Sequence, residues 1–218
     1  MATRPYFPVA IVAVVVTVLM TGCSSYRATP VDARSAGTLR PDIEDADVGL
    51  VGIAPGFDLR QYHIIVVELF EVAPNEIKDA QDVSLAKEMS GYLQASIVAK
   101  MKADPTLPKA VDASGATDRP SGPGTLVLQG DISRLTEGSQ ALRYFAGFGA
   151  GSAKAQVETR LVDSQSGPIL MITADRRTAS IGLFGGDSKG FLVDFMNRIA
   201  DGLVKLLQRL EAGGHPGK

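Results

Sequence analysis

Cys23 is the only cysteine in the 218 residues of this chain, and it stands just after an uncharged apolar run at residues 9–20. With one thiol no internal disulfide can form, so a compact fold must be held by an apolar core. The material for a core is present: 45% of the residues are hydrophobic, and the length is that of about one to one and a half typical domains. The apolar run itself is too short to cross a bilayer comfortably, which takes about 20 apolar residues. Arg4 is the one charge before it. A basic start, an apolar middle and small residues at the end have the layout of a secretory signal.

The segment Leu19-Met20-Thr21-Gly22-Cys23 resembles the lipobox of bacterial lipoproteins, with Met20 where leucine is usual. The resemblance implies residues 1–22 as a signal peptide, cleavage before Cys23, and acyl chains, palmitate among them, on Cys23. Several chains anchor a protein stably where one is marginal. Ser24, at a position where aspartate favours retention in the inner membrane, implies the outer membrane, facing the periplasm. Loss of Arg4 moves the formal charge from −2 to −3. No basic footprint is left for nucleic acid or for anionic lipid. Residues 23–47 are rich in Ser, Ala, Thr, Pro and Asp without apolar period and read as a flexible tether. The domain is expected over 48–211, with a disordered tail at 212–218.

Within the domain, residues 62–70 form the most apolar and β-branched stretch, the pattern of an inner strand covered on both faces. Residues 48–55 read as an extended edge segment weakened by two glycines. Residues 82–103 carry Leu85, Met89, Leu93, Ile97 and Met101 at a spacing of four, which predicts a helix. A short edge strand is expected at 107–111. Residues 125–135 and 153–162 alternate apolar and polar, and 169–180 returns with Leu170, Ile172 and Ala174 toward the core, making a hairpin with the segment before it. Residues 187–211 carry Leu192, Phe195, Ile199, Leu203, Leu206 and Leu210, a second amphipathic helix with Asp194–Arg198 and Asp201–Lys205 placed as i,i+4 pairs. The expected fold is α+β, a mostly antiparallel sheet with two helices packed on one face.

Gly138-Ser139, Arg143, the run from Gly147 to Ala153, then Leu161-Val162-Asp163 and Gly167 resemble an uncharacterised domain family of small bacterial lipoproteins. That resemblance covers about residues 62–210. It implies an envelope lipoprotein and names no reaction.

The chemistry the residues offer is sparse. The glycines at 147–151 precede an expected strand, whereas a dinucleotide fingerprint follows a strand and opens a helix, and a P-loop ends in Gly-Lys-Ser/Thr. They read as a crossing between strands. Residues 182–190 read as a turn and helix cap. The two histidines, His63 in a strand and His215 in the tail, do not supply clustered metal ligands, and no metal or cofactor is expected. Asp131 and Glu158 could pair as carboxylates but read as a solvated sheet face. No catalytic residue is assigned. Tyr144, Phe145 and Phe148, interleaved with Gly147, Gly149 and Gly151, form the candidate interaction surface, since exposed apolar clusters mark contacts. The resulting expectation is a non-enzymatic, lipid-anchored protein that binds a protein partner or its own copies. The alternative is a periplasmic small-ligand-binding or hydrolytic protein with a pocket between helices and sheet.

Overall fold

The computed structural model describes residues 39–114, 119–137, 153–179 and 188–217. Eight strands and two long helices run in the order β1 (Ile43–Asp45), β2 (Gly49–Ile53), a 3-10 turn (Leu59–Gln61), β3 (Ile64–Val67), β4 (Glu71–Val72), α1 (Ala80–Lys102), β5 (Lys109–Asp112), β6 (Thr125–Thr136), β7 (Ala153–Asp163), β8 (Ile169–Ala179) and α2 (Ser188–Glu211). They build one sheet in the order β1-β2-β8-β7-β6-β3-β5, with β4 beside β6. Pairing is antiparallel from β1 through β6 and parallel where β3 joins β5 and β6. This is the expected α+β class, with both helices over one sheet face.

The helical stripes form as their spacing demands. Met89, Leu93, Ile97 and Met101 of α1 and the whole Leu192–Leu210 series of α2 are buried in a single core with Leu126, Leu128 and Ile132 of β6 and Val157 and Leu161 of β7. Leu85 packs at its margin. Asp79 caps α1, its side chain accepting from the Gln81 and Asp82 N–H groups, so the helix begins a little before the expected residue 82. Asp194–Arg198 pairs at 2.8 Å. Asp201 instead meets Lys100 of α1 at 2.6 Å and Lys205 meets Asp47 at 3.6 Å, so these charges tie elements together.

The apolar stretch at 62–70 is not one strand. Val67 sits opposite Leu128 and Glu71 opposite Asp131, so one extra residue is accommodated between β3 and β4. Such a break frees backbone groups that must find partners. Ser90 Oγ donates to the Phe70 carbonyl at 2.6 Å, and Gln94 Nε2 donates at 2.8 Å to the Val67 carbonyl, which also accepts the Ala113 N–H at 3.1 Å. Both side chains are buried, one turn apart on the inner face of α1. Ser90→Ala should therefore cost about 1–3 kcal/mol, the penalty for a buried acceptor left without a donor. Chemical denaturation of both proteins measures it.

The sheet begins earlier than composition suggested. Ile43–Asp45, expected within the tether, is the end strand, and it makes β2 an inner strand instead of an edge. The tail also engages: the Gly217 N–H donates to Asp45 Oδ2 at 3.0 Å. On β8 Leu170 packs against the main core as expected, but beyond it the expected phase is reversed. Met171, Thr173 and Asp175 stand opposite Leu161, Thr159 and Val157 on the helix side, while Ala174 packs with Leu50 in a separate small cluster. A bulge at Leu170, between the Leu161 and Val162 pairings, sets this register.

Candidate functional site

Three polar arrangements stand out, each created by a local feature of the fold. The first lies on the sheet face away from the helices. β7 is an inner strand, so each of its outward residues has neighbours on both sides. Asp131 faces Glu158, and Gln156 faces Arg134 on one strand and Arg176 on the other. The expected solvated face is in fact buried: Asp131, Glu158 and Gln156 are 7%, 5% and 0% exposed. Asp131 is paired with Arg160, and Glu158 accepts from Gln156 Nε2 at 3.0 Å. The register thus brings together the two carboxylates singled out from the sequence, but as members of a network, Asp131 held by Arg160 and Glu158 by the Gln156 amide.

The second arrangement opens from the first at the β3–β4 break. A cavity of about 190 Å³ is lined by Glu68, Leu69, Glu71, Gln129, Asp131 and Arg160. Gly130 also lines it; a Cβ there would overlap the Glu158 carbonyl and press on the Phe70 ring. Arg119 reaches Glu68 at 3.0 Å, and Leu69 stands half exposed at the rim. An apolar tip between paired charges can hold a polar or charged group of another chain. A larger cleft of about 480 Å³ lies between the start of α1 and the end of β6, where Lys189 pairs with Glu88 at 2.7 Å. Burial there, with Asp79 and Glu137 nearby, pushes the Asp82 carboxyl above its ordinary value.

The third arrangement joins the two ends of the domain. Arg209, in the last turn of α2, holds Asp45 at 2.6 Å and also pairs with Asp47. Asp45 further accepts the Asp47 and Gly217 N–H groups, each at 3.0 Å. Burial raises the Asp45 carboxyl, but these hydrogen bonds and Arg209 outweigh it and hold it below the usual range. Arg177 links the cluster to the sheet, bridging Asp175 and the Asp47 carbonyl, each at 2.7 Å. Burial pushes the Asp175 carboxyl up, with Arg177 opposing it. Sequence reading missed this cluster because Asp45 and Asp47 sit in a polar stretch; their spacing of two, just before an apolar segment, was the available signal.

The remaining sites read from the sequence divide simply. Cys23, Tyr144, Phe145, Gly147, Phe148, Gly149 and Gly151 lie outside the described residues. His63 precedes β3 and is exposed, not enclosed in a strand, with its N–H on the Gly124 carbonyl. His215 is exposed as well. Among the described residues, no three His, Cys, Asp or Glu side chains gather as metal ligands, and no helix is long and apolar enough to cross a membrane.

Several solved structures are similar to this one at low identity. The PelC dodecamer from Paraburkholderia phytofirmans is 11% identical, with 70% of this chain and 95% of that chain covered and a TM-score of 0.43. Protein XCC0632 from Xanthomonas campestris is 10% identical over 74% of this chain and 91% of its own, with a TM-score of 0.46. The lipoprotein GNA1162 from Neisseria meningitidis is 14% identical over 65% and 98%, with a TM-score of 0.38. Among curated proteins none matches. The model of the family described as a domain of unknown function, DUF4410, matches residues 65–182, more than half of the chain, and the chain belongs to that family.

Proposed function

We propose that this protein is a lipid-anchored component of the bacterial envelope, held at Cys23, and that it acts by binding a protein partner or further copies of itself and not by catalysis. The observation that carries the binding reading is the filled centre of the layer between helices and sheet, the cleft at the start of α1 lying at its polar margin. Leu93, Ile97, Leu126, Leu128, Val157 and Leu161 are each 0% exposed there. A small-ligand or hydrolytic protein of this architecture would use that space as its pocket, and here side chains occupy it. Contact then falls to the periphery. The segment bearing Tyr144, Phe145 and Phe148 connects β6 to β7, whose near ends are paired at Thr136 and Lys154, so it issues from the end of the two central strands.

The test is recovery of the full chain from native envelope, with mass spectrometry of what accompanies it. Cys23→Ala should remove all acyl labelling and leave the chain uncleaved or mislocalised. Phe148→Ala should leave the melting temperature of the isolated protein nearly unchanged and weaken recovery of the partner. Membrane fractionation of Cys23→Ala after cleavage at the same place would refute the anchor. A sharp fall in melting temperature of Phe148→Ala, with recovery per folded molecule unaltered, would return that residue to the core and refute the contact.

A further inference from the structure

The Arg209 cluster holds the part of the chain that leads toward Cys23. β1 pairs with β2 over three residues only, and two of them, Ile43 and Glu44, are exposed. Apart from Pro41, which is buried, and the Arg40 carbonyl seated against Gly52 of β2, little fastens it to the body by packing. Its attachments are polar instead. The Asp45 side chain is 2% exposed and bonded to Arg209, while Asp47 takes Arg209 and Lys205 through its carboxylate and Arg177 through its carbonyl. The next residue, Val48, is 1% exposed and belongs to the main core. Gly202 of α2 lies directly under the Asp47 carbonyl, where a Cβ would overlap it. The boundary between polar attachment and apolar core therefore falls between Asp47 and Val48.

We infer that residues 39–47 form a releasable strap locked by Arg209, which opens without disturbing the sheet from β2 onward. Regions held by few buried apolar contacts open locally at lower free energy than the core they adjoin. Here the holding groups are ionic; salt screens exposed charges over distances beyond about 10 Å and buried pairs much less, so the Lys205–Asp47 contact, with Lys205 exposed, is the salt-sensitive part and the buried Asp45–Arg209 pair is the lasting one. Arg209 serves both carboxylates, and its removal leaves Asp45 buried without its cation, which drives the strand toward water. Opening releases nine residues, about 30 Å of reach at 3.3–3.6 Å per residue. That lengthening has a function only if Cys23 is the anchor, so its use rests on the preceding reading; the strap itself does not.

Hydrogen exchange of the full chain, read by mass spectrometry, tests the lock. Arg209→Met should speed exchange of residues 43–47 by about tenfold or more while amides of α1, β7 and β8 keep their rates. Arg198→Met, which breaks the exposed Asp194 pair on the same helix, should change neither. Should Arg209→Met fail to fold, Asp47→Ser, which removes the Lys205 contact and one of the two Arg209 contacts, should show the same selective signature in weaker form. Unchanged exchange at 43–47, or acceleration shared equally by β7 and β8, would overturn the strap. The same selective opening in a chain shown to carry no lipid on Cys23 would uphold the strap and remove only its role in setting reach.

Discussion

Replacing Leu93 by alanine should destabilise the domain by about 2–5 kcal/mol, the range for a buried leucine that leaves a cavity. Leu93 is 0% exposed at the middle of α1 and belongs to the core shared by α1, α2 and the sheet. The cost should fall in the upper part of that range, because neighbours on three sides limit collapse into the gap. At about 2–4 °C per kcal/mol for a domain of this size, the melting temperature should drop by roughly 10 °C. Lys87→Ala, on the exposed side of the same helix, should stay within about 0.5 kcal/mol. A Leu93→Ala change below about 1 kcal/mol would mean that the interlayer is loosely packed, which would also weaken the case against an internal ligand pocket.

The second large effect is expected from the opposite kind of change. Gly130→Val puts a branched side chain where a single Cβ already overlaps the Glu158 carbonyl. Phe70 could turn aside, but a carbonyl in the β6–β7 ladder cannot move without widening the pairing of the two longest strands. The cost should reach about 3 kcal/mol, the upper end for overpacking. Gln129→Val, one residue away on the other face, should cost no more than about 0.5 kcal/mol. Equal melting curves for wild type and Gly130→Val would contradict the close approach of β6 and β7.

The elements most open to sequence reading were those whose apolar period runs unbroken. The leucine series of α2 and the alternation of Thr125–Thr136 pointed to the right side chains because burial alone sets them. β8 misled for a physical reason. Ile169, Leu170, Met171 and Ile172 are all apolar, so either phase fits, and the polar residues that follow seemed to settle the choice. Thr173 and Asp175 nevertheless face the helices, since Thr159 and Thr173 bond to each other at 2.5 Å and Arg177 neutralises Asp175. Buried polar pairs of this kind are invisible to a hydrophobic pattern. The same limit hid the roles of Ser90 and Gln94, whose partners are backbone carbonyls of another element. The candidate site was legible only in part: Asp131 and Glu158 were named, but their pairing depends on a register that no single strand specifies.

The placement of β8 between β2 and β7 has a bearing on how the chain reaches its folded state. Val51 waits for Thr173, and Gly52 for Ile172, so the first inner strand has no sheet neighbour on that side until nearly the whole chain exists. Pairings between residues so far apart in sequence close slowly, because the loop entropy is lost before the contacts form. A polypeptide made from its N-terminus therefore stays open until its last strand and helix arrive. For a chain whose first residues read as a secretory signal, that delay is an advantage: what must be threaded through a membrane remains threadable until the far side supplies the end that closes it.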